Sequence, residues 1–294
     1  MIKRNESIDI IKGFLTICVI IGHILLGRIQ DNYIRYIIYS FHMHIFLFMS
    51  GYMINITKLS HLSYKEILHK YWGRMLKVWT IAFVLYTGYQ FIHLHNFQIG
   101  LLYSPWYHLW YIPTLFSYII ICKIMFTNFS ERTSYITLLI ISVIYIATKQ
   151  ILNTPLPRWS DCSYLPFFTL GILLRNTKII STKHFIVLPL FILIITLSKY
   201  FDIKSYGTIE LVSLILVIIF WLYPTIINNS LPSSRVLSYL GKNSLNIYLW
   251  HVIPIILLKA LLEGNQILYY ISSFILLLLF VLYSYYKERQ SLKL

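Results

Sequence analysis

The sequence predicts an all-α, polytopic membrane protein with about ten transmembrane helices and with both termini on the cytoplasmic side. Of the 294 residues, 58% are hydrophobic and only 12% are charged, and the mean hydropathy is +0.69. The apolar residues form long runs, and the positive charges are concentrated between alternate pairs of these runs. Such a composition excludes a soluble globular domain.

The apolar runs are candidates for membrane-spanning helices because most of them approach the roughly 17–25 residues that are needed to cross the hydrocarbon core. In chain order they lie at about 11–27, 36–56, 77–95, 106–126, 135–149, 160–175, 184–199, 207–227, 240–260 and 267–286. No long loop, internal repeat or low-complexity linker separates them, so residues 1–294 are predicted to form a single membrane domain.

The first run begins after a basic start, as a signal peptide would. No small-residue cleavage site follows it, and Asp9 and Lys12 interrupt the expected pattern, so we interpret it as a retained first helix. With the N-terminus inside, the inner segments contain most of the 25 Lys and Arg residues, whereas the 10 acidic residues divide evenly. The net charge of +15 is thus explained by topology and by contact with anionic lipid, and it does not indicate nucleic acid. We expect a multi-pass protein of the inner (plasma) membrane.

The first run carries a polar stripe formed by Asp9, Lys12, Thr16 and His23. Lys12 and His23 lie within roughly 20° of one helix face and about 16 Å apart along the axis. Ionisable residues inside a membrane helix are costly, so this pair is a functional-site hypothesis. Alternatively, Asp9 and Lys12 are ordinary interfacial residues and His23 alone lies within the membrane.

Three cations follow one another at the start of the third run. Lys70, Arg74 and Lys77 are four and three residues apart, which places them on one face of an α-helix at the cytoplasmic surface. A guanidinium fork beside compact ammonium groups suits a diphosphate. The alternative is a positive-inside anchor flanked by an aromatic belt.

The second run contains two histidines and a small-residue pair. His42 and His44 are two residues apart and point to different faces of a helix, which argues against a shared metal site, and we predict no metal. One of the two could meet His23 in the outer half of the membrane. Ser50 and Gly51 favour close helix packing.

The outer ends of the later runs supply candidate acceptor-binding residues. His108 and Trp110 lie in an aromatic cluster, which suits either a sugar platform or an interfacial belt. Ser244, Tyr248 and His251 follow steps of four and three in the ninth run, in which Pro254 is expected to cause a kink. His251 is either a substrate contact or a structural histidine bonded to Ser244 or Tyr248. The full predicted acceptor set is His42, His108, Trp110, Glu210, Tyr248 and His251.

These residues resemble the acyltransferase 3 family of integral membrane acyltransferases over nearly the whole chain. The motifs that carry the resemblance are Lys12 to His23 for the family's Arg/Lys-x10-His with Asp9 ahead of it, Phe41 to Tyr52, Arg74 to Lys77 for Arg-x-x-Arg, His108 to Tyr111, Phe167 to Gly171, and Ser244 to His251. Two positions depart from the family pattern, because Lys77 stands in place of Arg and His44 where the family often has Pro. The chain also lacks the soluble extracytoplasmic domain that some members carry.

The resemblance implies an O-acyltransferase that takes an acyl group from cytoplasmic acyl-CoA, commonly acetyl-CoA, and delivers it to a hydroxyl of a surface or cell-envelope glycan or lipid-linked sugar. On this hypothesis Lys12, Arg74 and Lys77 hold the CoA phosphates. His23 acts as general base or as a transient acyl carrier. Asp9 completes the catalytic set by positioning Lys12 or Arg74. The expected partners are acyl-CoA, the acceptor and membrane lipid, and no oligomeric state follows from the residues.

Two alternatives from other classes stay open at this point. A transporter or flippase of lipid-linked sugar would also use a polar stripe among ten helices, but it predicts inverted repeats or matched broken helices, which the sequence does not show. A noncatalytic membrane scaffold that kept the fold but lost activity is compatible with Lys77 in place of Arg.

Overall fold

The computed structural model describes residues 5–29, 32–94, 105, 108–152, 161–177, 222–262 and 264–291. Within these ranges all regular structure is helical, which confirms the all-α prediction. The chain divides into two compact units, each described here by itself. Unit 1 comprises Met1–Phe46 and Lys178–Leu294, and unit 2 comprises Leu47–Thr177.

The α-helices with defined bounds are numbered in chain order. They are α1 (Glu6–Ile24), α2 (Tyr33–Tyr52), α3 (Ile56–His61), α4 (Tyr64–Tyr71), α5 (Lys77–Leu94), α6 (Tyr111–Asn128), α7 (Glu131–Leu152), α8 (Leu165–Thr177), α9 (Arg235–Lys242), α10 (Ser244–Trp250), α11 (Val252–Leu261) and α12 (Gln266–Ser291). A π-helical turn, Trp72–Leu76, joins α4 to α5, and a 3-10 turn, Cys162–Tyr164, precedes α8. Residues 222–228 are also helical.

In unit 1, α1 begins earlier than the predicted 11–27 because Asn5 caps it: the Asn5 side chain accepts a hydrogen bond from the Ile8 N–H at 3.2 Å. The helix packs along α9 with almost no space between the two backbones. A Cβ added at Gly13 would lie 2.0 Å from Leu237 O, and one added at Gly241 would lie 1.8 Å from Asp9 O. Glycine at both positions therefore allows this close approach.

The predicted polar stripe of α1 faces protein rather than lipid. Asp9 is 4% exposed and Thr16 2% exposed, while Lys12 and His23 are half-buried. The opposite face carries Phe14, which is 52% exposed. This arrangement agrees with the requirement that polar groups of a membrane helix be turned inward.

The predicted ninth run, 240–260, is broken in two places. α9 ends at Lys242, and α10 gives way to α11 at His251. Pro254 has no N–H to donate to Trp250 O, which accounts for an interruption just ahead of it. The helix is therefore interrupted close to Pro254, where a kink was expected, and His251 lies at the junction.

In unit 2, the C-terminal part of α2 crosses α8 through a pair of glycines. A Cβ at Gly51 would lie 2.0 Å from Phe168 O, and one at Gly171 would lie 2.1 Å from Phe48 O. The prediction that Gly51 serves close helix packing is confirmed. The Arg175 guanidinium, farther along α8, donates to Tyr52 O at 2.9 Å.

The third run differs from its prediction in both length and regularity. The helical segment starts at Tyr64, well ahead of the expected 77, after a capping box between Ser63 and Glu66. In the π turn the Lys77 N–H bonds to Trp72 O, five residues back. One extra residue in the turn shifts the phase, so the assumption of unbroken α-helical spacing from Lys70 to Lys77 is wrong.

Six helices in the described part of the chain are long and apolar enough to cross a membrane. They are Glu6–Ile24, Tyr64–Ile92, Tyr111–Asn128, Glu131–Thr148, Ser244–Leu261 and Gln266–Lys287. The second predicted run corresponds to α2 and the sixth to the shorter apolar helix Cys162–Arg175. The run at 184–199 and most of that at 207–227 lie outside the described residues. The count of ten and the orientation of the termini stay predictions.

Candidate active site

Polar side chains of unit 1 converge on His23. Its Nδ1 lies 3.2 Å from the Tyr39 hydroxyl oxygen. The ring centroids of His23 and His251 are 5.0 Å apart, and those of Tyr39 and His42 are 5.1 Å apart. We call these four residues, His23, Tyr39, His42 and His251, the His23 cluster. It joins α1, α2 and the junction between α10 and α11.

The local sequence explains how these side chains meet. Gly22 leaves room for the neighbouring helix, because a Cβ there would lie only 2.9 Å from the Tyr39 ring. Tyr39 and His42 are three residues apart on α2 and so share a face. His251 enters the cluster from the break in the ninth run.

Two of the histidines have a defined tautomer in their neutral form. His42 Nδ1 lies 2.5 Å from Ile38 O, and His251 Nδ1 lies 2.8 Å from Tyr248 O and 3.1 Å from Ile247 O. A carbonyl oxygen only accepts, so Nδ1 carries the hydrogen in each ring and Nε2 carries the lone pair. Both side chains are buried, since His42 is 4% and His251 8% exposed.

The structural alternative for His251 predicted a bond to Ser244 or Tyr248. His251 Nδ1 does bond to Tyr248, through the main-chain carbonyl, and it also bonds to Ile247 O. The stripe itself is buried as a whole, with Ser244 8% and Tyr248 7% exposed. The Tyr248 and His251 ring centroids are 6.2 Å apart, so Tyr248 lies at the edge of the His23 cluster.

Tyr39 was missed by the sequence analysis, and so was Arg35, which supports it. The Arg35 guanidinium carbon lies 5.4 Å from the Tyr39 ring centroid, a cation–π distance. Arg35 also donates a hydrogen bond to Gly27 O in the segment between α1 and α2. A signal was available, because Arg35, Tyr39 and His42 are spaced four and three apart on one helix.

The predicted aromatic acceptor residues belong to unit 2. Trp110, which precedes α6, stacks on Tyr164 with centroids 5.4 Å apart and planes at 26°. His108 is 2% exposed and meets Tyr86 edge to face at 5.3 Å. The acceptor set is thus divided, since His42, Tyr248 and His251 lie in unit 1. Glu210 lies outside the described residues, as do Trp106 and Tyr107, which precede His108 in the sequence.

The predicted donor cations are divided in the same way. Lys12 is half-buried in unit 1, whereas Arg74 and Lys77 are exposed at the π turn of unit 2. Lys70 is within electrostatic range of both Arg74 and Lys58. Unit 2 therefore gathers a small cationic patch, and Lys58 from α3 was missing from the predicted set.

Asp9 is held by its place in the α1–α9 contact, where its carbonyl oxygen faces Gly241. It lies more than three helical turns before His23 on α1, so it does not contact His23 directly. Among the described residues no group of three or more His, Cys, Asp or Glu side chains is placed to hold a metal ion.

Comparison with known proteins identifies the family. A family model described as an acyltransferase domain, that of acyltransferase 3, matches residues 5–286. No curated protein and no solved structure matches the chain. The family match runs from the cap of α1 into α12 and includes both units. The chain therefore belongs to the acyltransferase 3 family and is a multi-pass membrane acyltransferase.

Proposed function

We propose that this enzyme transfers an acetyl or other acyl group from cytoplasmic acyl-CoA to a hydroxyl of a surface or cell-envelope glycan. The observation that carries the proposal is the His23 cluster: an imidazole on a candidate membrane span, in contact with a tyrosine hydroxyl and a second imidazole. An acyl transfer needs a base at the acceptor hydroxyl, and histidine is the side chain most often used for it.

His23 is the proposed general base. It removes the proton of the acceptor hydroxyl, whose oxygen attacks the thioester carbonyl. The new C–O bond forms as the C–S bond breaks, and the proton passes from His23 to the CoA sulfur. A transient acyl-His23 would divide the same reaction into two steps.

Tyr39 is the proposed positioning residue for His23. When Nδ1 carries the hydrogen, it donates to the Tyr39 oxygen and Nε2 is presented as the base. Such a partner on the second ring nitrogen fixes both tautomer and ring orientation. Arg35, packed on the Tyr39 ring, holds the tyrosine in place.

The donor phosphates are assigned to Lys12 in unit 1 and to Arg74 and Lys77 in unit 2. The exposed patch at the π turn supports this assignment, because phosphate must reach these cations from water. On α1, Lys12 and His23 are about 16 Å apart along the axis, a separation suited to an extended pantetheine arm. Asp9 is assigned to the positioning of Lys12.

The acceptor is assigned to His42, Tyr248 and His251 in unit 1 and to His108 and Trp110 in unit 2, with Glu210 as a further candidate. The half-buried face of Trp110 beside Tyr164 supports a sugar platform, since C–H faces of carbohydrate stack on aromatic rings.

The test supplies acetyl-CoA labelled in its acetyl group to vesicles that contain the purified protein and glycan from the host. Labelled glycan is expected with the wild type and is expected to fall by about 10²–10⁴ in rate for His23→Ala. His61→Ala, an exposed histidine on α3, is the control and should retain activity. Movement of lipid-linked sugar without acylation would support the flippase instead. If neither acylation nor movement occurs, the scaffold alternative is supported.

A further inference from the structure

A partly open cavity of about 270 Å³ lies in unit 1, between α1, the α10–α11 pair and α12. Its walls are almost entirely aliphatic or aromatic. The apolar lining includes Ile20, Ile24, Ile255, Leu258, Leu277 and Phe280. Because all the helices around it belong to candidate membrane spans, the cavity lies at the depth of the hydrocarbon core.

The cavity begins beside the proposed reacting centre. His251 forms part of its wall, and the His251 ring centroid is 5.0 Å from that of His23. Ile20 and Ile24, which also line it, flank His23 on α1. An acyl group that is attached to His23, or attacked next to it, is therefore separated from this apolar cavity by the width of the His251 ring.

The size of the cavity exceeds what a two-carbon acetyl group fills. An apolar cavity of about 150 Å³ lined by similar side chains binds benzene, which has six carbons. On that scale the volume of about 270 Å³ accommodates roughly ten carbon atoms.

A second polar group in the wall is the Ser273 hydroxyl. Ser273 is 2% exposed, and the Tyr269 side chain is close enough to interact with its hydroxyl. The Tyr269 hydroxyl, one turn away on α12, donates to Ile24 O at 3.0 Å.

We infer that this cavity binds the hydrocarbon tail of the acyl group that is transferred, and that the donor is a medium-chain acyl-CoA of roughly six to ten carbons. The inference rests on the proposed function and names its substrate class. The carbonyl lies beside His23 and His251, and the tail extends past Leu277 and Phe280. The lipid anchor of an acceptor offers the same chemistry, and the experiment separates the two sources.

The test measures binding to the purified full-length protein of CoA ketones, in which a methylene replaces the thioester sulfur, carrying acetyl, octanoyl and hexadecanoyl groups. The octanoyl analogue is expected to bind more than about tenfold tighter than the acetyl analogue, because its extra methylenes are buried. Leu277→Trp fills the cavity and should abolish this preference while leaving acetyl binding intact. Leu279→Trp, at a position that is 56% exposed and outside the lining, is the control and should behave as the wild type.

Phe280→Ala enlarges the cavity and keeps the test decisive if Leu277→Trp does not fold. It should move the preference toward chains longer than octanoyl. Equal binding of acetyl and octanoyl analogues by the wild type would overturn the inference and leave the proposed function standing. If Leu277→Trp weakens only the binding of lipid-linked acceptors, the cavity holds the lipid anchor of the acceptor and the inference is overturned. If no CoA ketone of any length binds, the proposed donor is wrong and the inference falls with it.

Discussion

The two units arrange their polar residues in different ways. In unit 1 the members of the His23 cluster are buried or half-buried and contact one another across separate helices. In unit 2 Arg74 and Lys77 are exposed beside an irregular turn. A base that moves a proton needs a fixed geometry and little water, whereas a cation that captures phosphate needs access to solvent. The difference supports the proposed division of roles, in which His23 of unit 1 is the base and Arg74 and Lys77 of unit 2 capture donor phosphate.

The backbone of each region fits its proposed task. Glycines in α1 and α9 bring these helices into backbone contact, which fixes the N-terminal part of the helix that carries His23 against its neighbour. The donor cations of unit 2 instead follow a π turn, and such turns are frequent at functional sites.

The largest expected effect on stability comes from breaking the contact between α1 and α9. Gly241→Ala places a methyl group where Asp9 O lies 1.8 Å away, so α1 and α9 must separate. We expect a loss of about 1–3 kcal/mol or more in stability, with loss of activity. Thermal unfolding of the purified protein measures it. Gly88→Ala in α5 is the control, because nothing lies within 4 Å of a Cβ there. Equal stability of the two variants would contradict the described helix contact.

A smaller effect is expected from the partner of His23. Tyr39→Phe removes one hydrogen bond of about 1–1.5 kcal/mol, so kcat should fall about tenfold while KM for acyl-CoA stays constant. Initial rates over a range of pH would also show a displaced profile, which a purely structural role would not produce. Tyr36→Phe, on the exposed side of α2, is the matched control. An unchanged kcat and pH profile in Tyr39→Phe would remove Tyr39 from the site.

Removing a cation from unit 2 is expected to act on binding alone. Arg74→Ala should raise KM for acyl-CoA by about three- to tenfold, and the difference should shrink at high salt. The control is Arg132→Ala, an exposed arginine of α7 in the same unit. A fall in kcat without a change in KM would show that the division between the units is wrong.

The smallest expected effect concerns Lys77 and the KM for acyl-CoA. Lys77→Arg restores the residue of the family pattern and offers a planar fork to phosphate. We expect KM for acyl-CoA to fall by about two- to threefold, with Lys65→Arg as the exposed control. A rise in KM would indicate that the π turn presents position 77 to something other than the donor.

The sequence was most informative where the helix is regular. The stripe from Asp9 to His23 follows from spacing alone, because α1 is unbroken over these residues. The relation between Lys70 and Lys77 could not be predicted, since a π turn depends on tertiary packing and carries no clear residue signal. Tyr39 could have been predicted by the same kind of spacing argument, because it lies three residues before His42 on one helix face.

Contacts between distant segments were beyond a spacing argument. His23 and His251 lie at opposite ends of the chain, and only packing of α1 against α10 and α11 brings them together. Pro254 predicted the break in the ninth run but not its role in presenting His251. The cavity beside the cluster is a property of several helices and is invisible in any one of them.

The most direct test of the proposed division is a comparison of kcat and KM for acyl-CoA in the wild type, His23→Ala and Arg74→Ala under identical conditions. We expect His23→Ala to lose about 10²–10⁴ in kcat with KM nearly unchanged, and Arg74→Ala to show the opposite pattern. A His23→Ala enzyme that keeps its kcat, or that loses only affinity for acyl-CoA, would contradict the account.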